Sequence, residues 1–408
     1  MNSLKFFSEV IKMMIGLQGI CFCQLPDIYL RVQMNIDTHT NKIASGFELK
    51  VVSAPPQDVK NLLTSTIYGI KGGMQYRHKN VDAKIDRLPN SFFVTLRRHT
   101  KLLGTVGFMF RKTIVNKVSL ASYYVRYLSI NSKTKRKGSK FKNSAKDSSE
   151  RFKKNNLKSG LSQLMLEHFT NPILVKNESS LFYAFVDKDN VYSQSLCKEF
   201  GYKKIRNIST IIFSRIFPKK SSEVFQLKES EKEFVLNRLA EEYKYHNFYF
   251  KDHTVVDDNY FVVKANGRIV AGLKASPIEW EIVNIPGLSG FIIKNIFPVL
   301  PFFKRLFNSR EFRFTAFDAI WYEPGYENKL IELMESTCAV LNLHIGITWL
   351  DKQSIIKERL YKTKKLGMLH QLNNNVPADV LARFINMSDV EIQSFYDRPV
   401  YVSSFDLT

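Results

Sequence analysis

Short runs of alternating apolar and polar residues predict strands along this chain, and apolar spacings of three and four predict helices between them. Phe47–Ser53 reads as a strand. Pro55–Tyr68 reads as a helix with Val59, Leu62, Leu63 and Ile67 on one face. Phe92–Leu96 and Leu102–Phe110 read as a hairpin across the polar turn RRHTK, and the aromatic, β-branched run Ala121–Ile130 reads as a further strand. Asn131–Lys158 is poor in apolar residues and rich in Lys, Ser and Asn, which predicts a basic loop insertion. In Gly160–Phe169 the residues Leu161, Leu164, Met165 and Phe169 share a helical face. Phe182–Ile205 then runs strand, Asp-Lys-Asp-Asn cap, short helix, Phe-Gly-Tyr corner and strand.

A linker-like stretch, Pro218–Glu223, precedes a second series. Its predicted elements are a helix (Glu229–Tyr245) and a hairpin (Tyr260–Lys264 and Ile269–Ala275) around Asn266-Gly267. A strand (Phe312–Tyr322) follows, then a helix carrying Leu330, Met334, Thr337 and Leu341. Next come a strand (Leu343–Trp349), a helix from Gln353 into LYKTKKLGM, and a last strand at Val400–Phe405. The order strand, Val186-Asp187-Lys188, helix, Phe200-Gly201-Tyr202 recurs as strand, Leu350-Asp351-Lys352, helix, Leu366-Gly367-Met368. That recurrence predicts a tandem duplication, with two unrelated α/β domains as the alternative.

Composition narrows the setting. The 408 residues suit two domains, and a hydrophobic fraction of 44% fills real cores. The net charge of +22 favours anionic partners such as nucleic acid, membrane headgroups or a phosphorylated cofactor. The four cysteines have no ligand spacing and need no disulfide framework, which fits a reducing cytoplasm, and the scattered histidines predict no metal site. The expected division is an N-terminal extension (1–46), a first domain (47–217) with a basic insertion (131–158), and a degenerate second domain (225–408). Glu9 and Lys12 interrupt the apolar N-terminal run, so residues 1–33 read as a poorly packed leader rather than a signal peptide, and Met34 competes with Met1 as the natural start. Residues 285–307 contain Lys294, Pro298 and Pro301, which argues for two short amphipathic helices over a membrane span; an interfacial membrane contact through Lys304 and Arg305 is the alternative.

The order of elements in the first half resembles the GCN5-related N-acetyltransferase (GNAT) superfamily, and the resemblance is most specific over residues 121–205. Asn190, Ser193, Leu196, Gly201 and Tyr202 match that family's Asn…Leu-Tyr…Gly-Phe signature, while Cys197 stands where the family's acid tyrosine would be. Tandem GNAT-like halves also occur in N-myristoyltransferases and in peptidoglycan-bridge aminoacyl transferases. The resemblance implies an α/β fold of two tandem GNAT-like domains, each a mixed, mostly antiparallel sheet flanked by helices. It implies that the Ala121–Ile130 and Leu181–Val186 strands splay apart around pantetheine, which pairs with backbone near Leu128, Ser129 and Ile130. Helix Asn190–Phe200 would flank the thiol end. The phosphates would sit at Gly160-Leu161-Ser162, with the lysine-rich loop close by; Lys135–Lys140 is a second place for the phosphate turn.

Amine acylation needs a base and an oxyanion donor. The strand Ala121–Ile130 has no carboxylate, and Asp187 reads as a helix cap. Asp318, Glu323 and Tyr361 in the second half are the remaining catalytic candidates. That half lacks a glycine-rich loop and is expected to have lost coenzyme A, serving as scaffold or acceptor pocket. The resulting expectation is an acyl-CoA-dependent N-acyltransferase, using acetyl-CoA or a longer acyl-CoA on an unknown amine. An aminoacyl-tRNA-dependent transferase, with salt-sensitive tRNA binding, and a non-catalytic GNAT-like binding protein are the alternatives.

Overall fold

The computed structural model describes residues 41–43, 47–70, 72–115, 118–131, 161–162, 164–173, 178–251, 254, 259–291, 295–296, 299–300, 303–372 and 377–407. The expected leader with its start at Met1 or Met34, all but Asn131 of the basic insertion, and Gly160 lie outside them.

The first series comprises β1 (Asn41–Ile43), β2 (Phe47–Val52), α1 (Gln57–Ser65), β3 (Tyr68–Gly69), β4 (Gln75–His78), α2 (Val81–Asp86), β5 (Ser91–Arg98), β6 (Lys101–Val115) and β7 (Val118–Ile130). It continues with α3 (161–173), β8 (Ser180–Asp187), α4 (Val191–Glu199) and β9 (Lys203–Ser214). The second series comprises β10 (Val224–Gln226), α5 (Lys232–Glu242), β11 (Tyr260–Ala265), β12 (Arg268–Asn284), α6 (Gly287–Phe291), β13 (Phe312–Tyr322), α7 (Lys329–Val340) and β14 (Ile345–Asp351). After it come α8 (Ile355–Lys362), α9 (Met368–Leu372), β15 (Ala378–Ile385), α10 (Asp389–Asp397) and α11 (Ser404–Leu407).

These strands form one sheet in the order β1-β2-β5-β6-β7-β8-β15-β9-β14-β13-β12-β11-β10, with β4 attached to the end of β12. The order is a near-palindrome. In each half a run of antiparallel contacts, four in the first and three in the second, leads to a parallel pair, β7–β8 or β13–β14. The next place beside each parallel pair is filled by a strand from the other half: β15 lies on β8, and β9 lies on β14. The two exchanged strands also pair with each other, Ala378 opposite Ile208. β15 (ADVLARFI) is buried at four consecutive positions, as suits a strand covered on both faces.

The halves also share their irregularities. The β6–β7 register shifts between Thr105 and Gly107, and the β12–β13 register shifts between Gly272 and Lys274. Each bulge carries a residue in the left-handed region, Tyr127 (φ 58°) and Ala319 (φ 47°). Such a coincidence at matching places favours duplication over two unrelated sheets.

Several sequence expectations shift. The first helix stops at Ser65, because Thr66 is extended, so Ile67 is 44% exposed instead of lying in the core. The helix expected from Gln353 through Met368 is two, α8 and α9, broken at Gly367. Gly367 has φ 97°, and a Cβ there would lie 2.2 Å from Ser214 O. The expected last strand, Val400–Phe405, is an extended but unpaired stretch that turns into α11, apart from one bridge between Val400 and Asn247. Within 285–307 the described helical pieces are short, with Phe291, Ile296, Val299 and Leu300 exposed. Among the described residues no helix is long and apolar enough to cross a membrane.

Candidate functional site

Two gaps open in the sheet, one per half. β7 and β8 run parallel from the Ala121–Ser180 pair to Tyr124–Tyr183, and beyond it β7 leaves the ladder with β8. β13 and β14 do the same after Phe317–Thr348. The bulge at Tyr127 or Ala319 falls just past each divergence, where extra local twist turns one strand from its neighbour.

The second gap is filled by the chain itself. Residues 399–403 enter between β13 and β14 in extended form. Val400 N donates to Asp351 Oδ2 (3.0 Å), and Tyr401 N donates to Asn247 O (2.9 Å). Asp318 Oδ2 accepts from Ser404 N (2.6 Å) and Ser403 Oγ (3.3 Å). Val400, Tyr401, Val402 and Ser403 are all buried. A cavity of only about 170 Å³ remains, lined by Glu242, His246, Asp318 and Thr348 among others.

No chain segment among the described residues plays that part in the first gap. Asn131 N donates to Leu103 O (2.8 Å), so the backbone groups of Ile130, one residue back, point away from β6 and into the gap. Leu128 sits half-buried in the bulge, and Ser129 is buried with its hydroxyl 2.6 Å from Thr66 Oγ1. On one face α3 and α4 meet across the gap, with Ser162 Oγ 2.8 Å from Tyr192 Oη. Leu161, the first described position of α3, is half-buried. Asn190 caps α4, its side chain accepting from Ser193 N (3.1 Å).

Asp187 and Asp351 hold matching places at the ends of β8 and β14, and their surroundings differ. In both, Oδ1 accepts a backbone N–H two residues on, from Asp189 or Gln353. Asp351 is also bound by Arg206 Nε and Nη2 (both 2.9 Å) and by Val400 N. The Asp187 carboxylate has no further hydrogen-bond partner among the described residues. Burial, with Asp189 and Asp379 nearby, raises its carboxyl above the ordinary aspartate range. Asn190, not Asp187, is the cap of α4.

The three candidates of the second half are not brought together. Asp318 is fully buried against the 403–404 turn, with its carboxyl raised by burial despite the nearby charge of Lys274. Glu323 pairs with Arg238 (3.0 Å). Tyr361 packs edge-on against His370 at 4.9 Å. Cys197 packs with Val125, Ala184, Val186, Tyr202 and Leu381, and burial pushes its thiol up to about 12. The stretch 399–407, read from the sequence only as a last strand at Val400–Phe405, supplies Asp406, which pairs with Arg111 at a separation of 295 residues.

No family model matches this chain, and no curated protein matches it. Solved structures do. A structure of Saccharomyces cerevisiae N-myristoyltransferase with bound myristoyl-CoA covers 98% of this chain and 99% of its own, at TM-score 0.55 and 10% identity. Another, of the same enzyme with myristoyl-CoA, covers 94% of each chain at TM-score 0.53 and 10% identity. A likeness at this identity is one of fold: this chain has the tandem GNAT-like fold.

Proposed function

We propose that this protein is an acyl-CoA-dependent N-acyltransferase with one donor site, in the first gap. The observation that carries this reading is the contrast between the duplicated gaps. The second is plugged by residues 399–403, while the first keeps the inward-facing backbone of Ile130 and, on Asp187, a carboxylate with one oxygen bound to the Asp189 amide and the other open. An extended pantetheine would pair with Ile130 as a strand pairs with an edge, and Leu161 and Ser162 at the start of α3 would lie toward the phosphates.

Asp187 then takes one proton from the acceptor ammonium. The amine nitrogen attacks the thioester carbonyl, the C–N bond forms and the C–S bond breaks. The second nitrogen proton leaves with the thiolate as free thiol. A proton from Cys197 is not needed, and its buried, high-pKa thiol suits packing instead. Backbone donors freed at the Tyr127 bulge lie on the strand from which an oxyanion would be stabilised. Asp318 becomes the clamp that holds the plug of the second gap.

The test is calorimetric titration of acetyl-CoA and a long-chain acyl-CoA into the full chain and into Ile130→Pro. Proline at this position removes an N–H that the β6 ladder does not use. The expected result is about one site per chain, weakened roughly five- to tenfold in the variant, the worth of one hydrogen bond. Absence of binding by either thioester, with the fold intact, would overturn the reading.

A further inference from the structure

β3, β4, α2 and the end of β12 bring together a group of side chains for which the donor gap has no use. The short strand β4 pairs with the end of β12, setting His78 opposite Trp280 and Tyr76 opposite Ile282. Tyr76 stacks on Trp280 at 4.0 Å, and His78 packs edge-on against Tyr68 at 4.6 Å and Trp280 at 5.7 Å. Lys84 reaches this group from α2. Its Nζ is buried without a hydrogen-bond partner, as are Tyr68 Oη, His78 Nδ1 and Trp280 Nε1. His78 is only 7% exposed.

Four orphan polar atoms in one place are unusual, since buried donors and acceptors are nearly always paired. Leaving them unmade costs free energy, and an unpaired buried ammonium costs more than a neutral donor. The charge around them is one-sided. Arg126, from the β7 bulge, lies near enough to act on Tyr68, His78 and Lys84, while its Nη1 donates to Phe405 O (2.8 Å) and its guanidinium covers the Tyr127 ring at 4.0 Å. Burial and then Arg126 pull the Lys84 ammonium down to about 8, so it is still mostly protonated at neutral pH. Burial, Lys84 and Arg126 hold His78 well below its usual range, hence neutral. Burial, and after it the charge of Asp187, raise the Tyr76 phenol, so the Asp187 carboxylate lies within electrostatic reach of this group.

We infer that Lys84, His78 and Tyr68 form a carboxylate-binding site for the acceptor, which is a zwitterion of the amino-acid class: its carboxylate meets these donors while its amine faces Asp187. The amine half of this statement rests on the acyltransferase reading; the carboxylate half rests on the orphan cluster alone. A neutral or purely cationic amine would leave Lys84 buried and unpaired beside Arg126, whereas a carboxylate accepts charge-assisted hydrogen bonds from Lys84 and a neutral one from Tyr68.

The experiment titrates a panel of the twenty free amino acids, each against its α-amide, into the full chain with and without saturating coenzyme A. Lys84→Met and Lys84→Arg are run alongside, with coenzyme A affinity measured on every variant. At least one free amino acid is expected to bind ten or more times tighter than its amide. That ratio should fall to near one in Lys84→Met and recover in part in Lys84→Arg, with coenzyme A affinity unchanged. Equal binding of acid and amide, a ratio that survives Lys84→Met, or no binding by any member would overturn the inference. Loss of coenzyme A binding with the ratio intact would instead count against the acyltransferase reading and leave the carboxylate site standing.

Discussion

At the scale of single residues, the most informative comparison is between Asp187 and Asp351. Equivalent in the duplication, one is tied to Arg206 and to the Val400 amide and the other keeps an oxygen open at the gap. A carboxylate raised by burial and by neighbouring carboxylates matches a base that must accept an amine proton near neutral pH. Asp187→Asn is therefore expected to lower kcat by about a hundredfold to ten-thousandfold while leaving acyl-CoA affinity unchanged. The sign of the pH profile follows from the raised pKa. The base is lost as pH falls through the pKa of Asp187, so the acid limb of kcat/KM lies above the ordinary aspartate range, and it disappears in the variant. Steady-state rates across pH, with coenzyme A release as the readout, check both points. A variant that retains full rate would remove Asp187 from the chemistry.

At the scale of elements, the C-terminal stretch holds the site together. α11 delivers Asp406 to Arg111 on β6 (2.9 Å), and the Asp406 carbonyl accepts from Tyr124 Oη on β7 (2.7 Å). Both partners of the ion pair are buried, at 4% and 3% exposure, and Arg111 also donates to Tyr183 Oη. Removing one member strands a charge in the interior, so Asp406→Ala is expected to cost about 3–5 kcal/mol in chemical denaturation. Replacing both, as Arg111→Met with Asp406→Leu, is expected to cost far less, because no orphan charge remains. The double-mutant cycle measures the difference.

Periodicity made most of the sheet legible: β2, β5, β6, β7, β8, β11, β13 and β14 were all recognisable as strands. The Asp-Lys that follows a strand at Asp187-Lys188 and again at Asp351-Lys352 carries the duplication in the sequence itself. What periodicity missed shares a cause. β15 carries Asp379 and Arg383 within an apolar run, and Val400–Phe405, which reads as a strand, has one bridge to Asn247 in place of a ladder. Both are held by contacts distant in sequence, β15 by β8 and 399–403 by Asn247, Asp318 and Asp351, which local pattern does not encode. The same holds for the site. The expectation of gap-lining backbone near Leu128, Ser129 and Ile130 came from the resemblance to the GNAT fold and not from a local pattern. The orphan cluster could not be anticipated, because β3, β4 and α2 are too short to stand out, and its partner Trp280 comes from the other half.

For the whole molecule, the exchange of β9 and β15 decides how the chain folds. Each half lacks the strand that covers its parallel pair and receives it from the other, and one apolar core runs from Val59 and Phe93 in the first half to Phe314 and Ile345 in the second. A fragment ending near residue 217 would keep β9 but expose the whole edge of β8, which is buried at six of its eight positions. An open apolar strand edge of that length invites aggregation. Unfolding of the full chain is therefore expected to be a single cooperative transition, with fluorescence and circular dichroism coincident in denaturant. The fragment 47–217 alone is expected to be insoluble or unfolded, and to gain structure when co-expressed with 218–408. Two separate transitions, or a stable first-half fragment that binds acyl-CoA, would mean that the exchanged strands are dispensable. The duplication would then be two self-sufficient modules, and the plugged second gap would have to be explained by the needs of that half alone. A single transition would instead tie the plug to the donor site, because the polypeptide that fills one gap continues directly into α11, whose Phe405 and Asp406 carbonyls receive Arg126 and Tyr124 from the wall of the other.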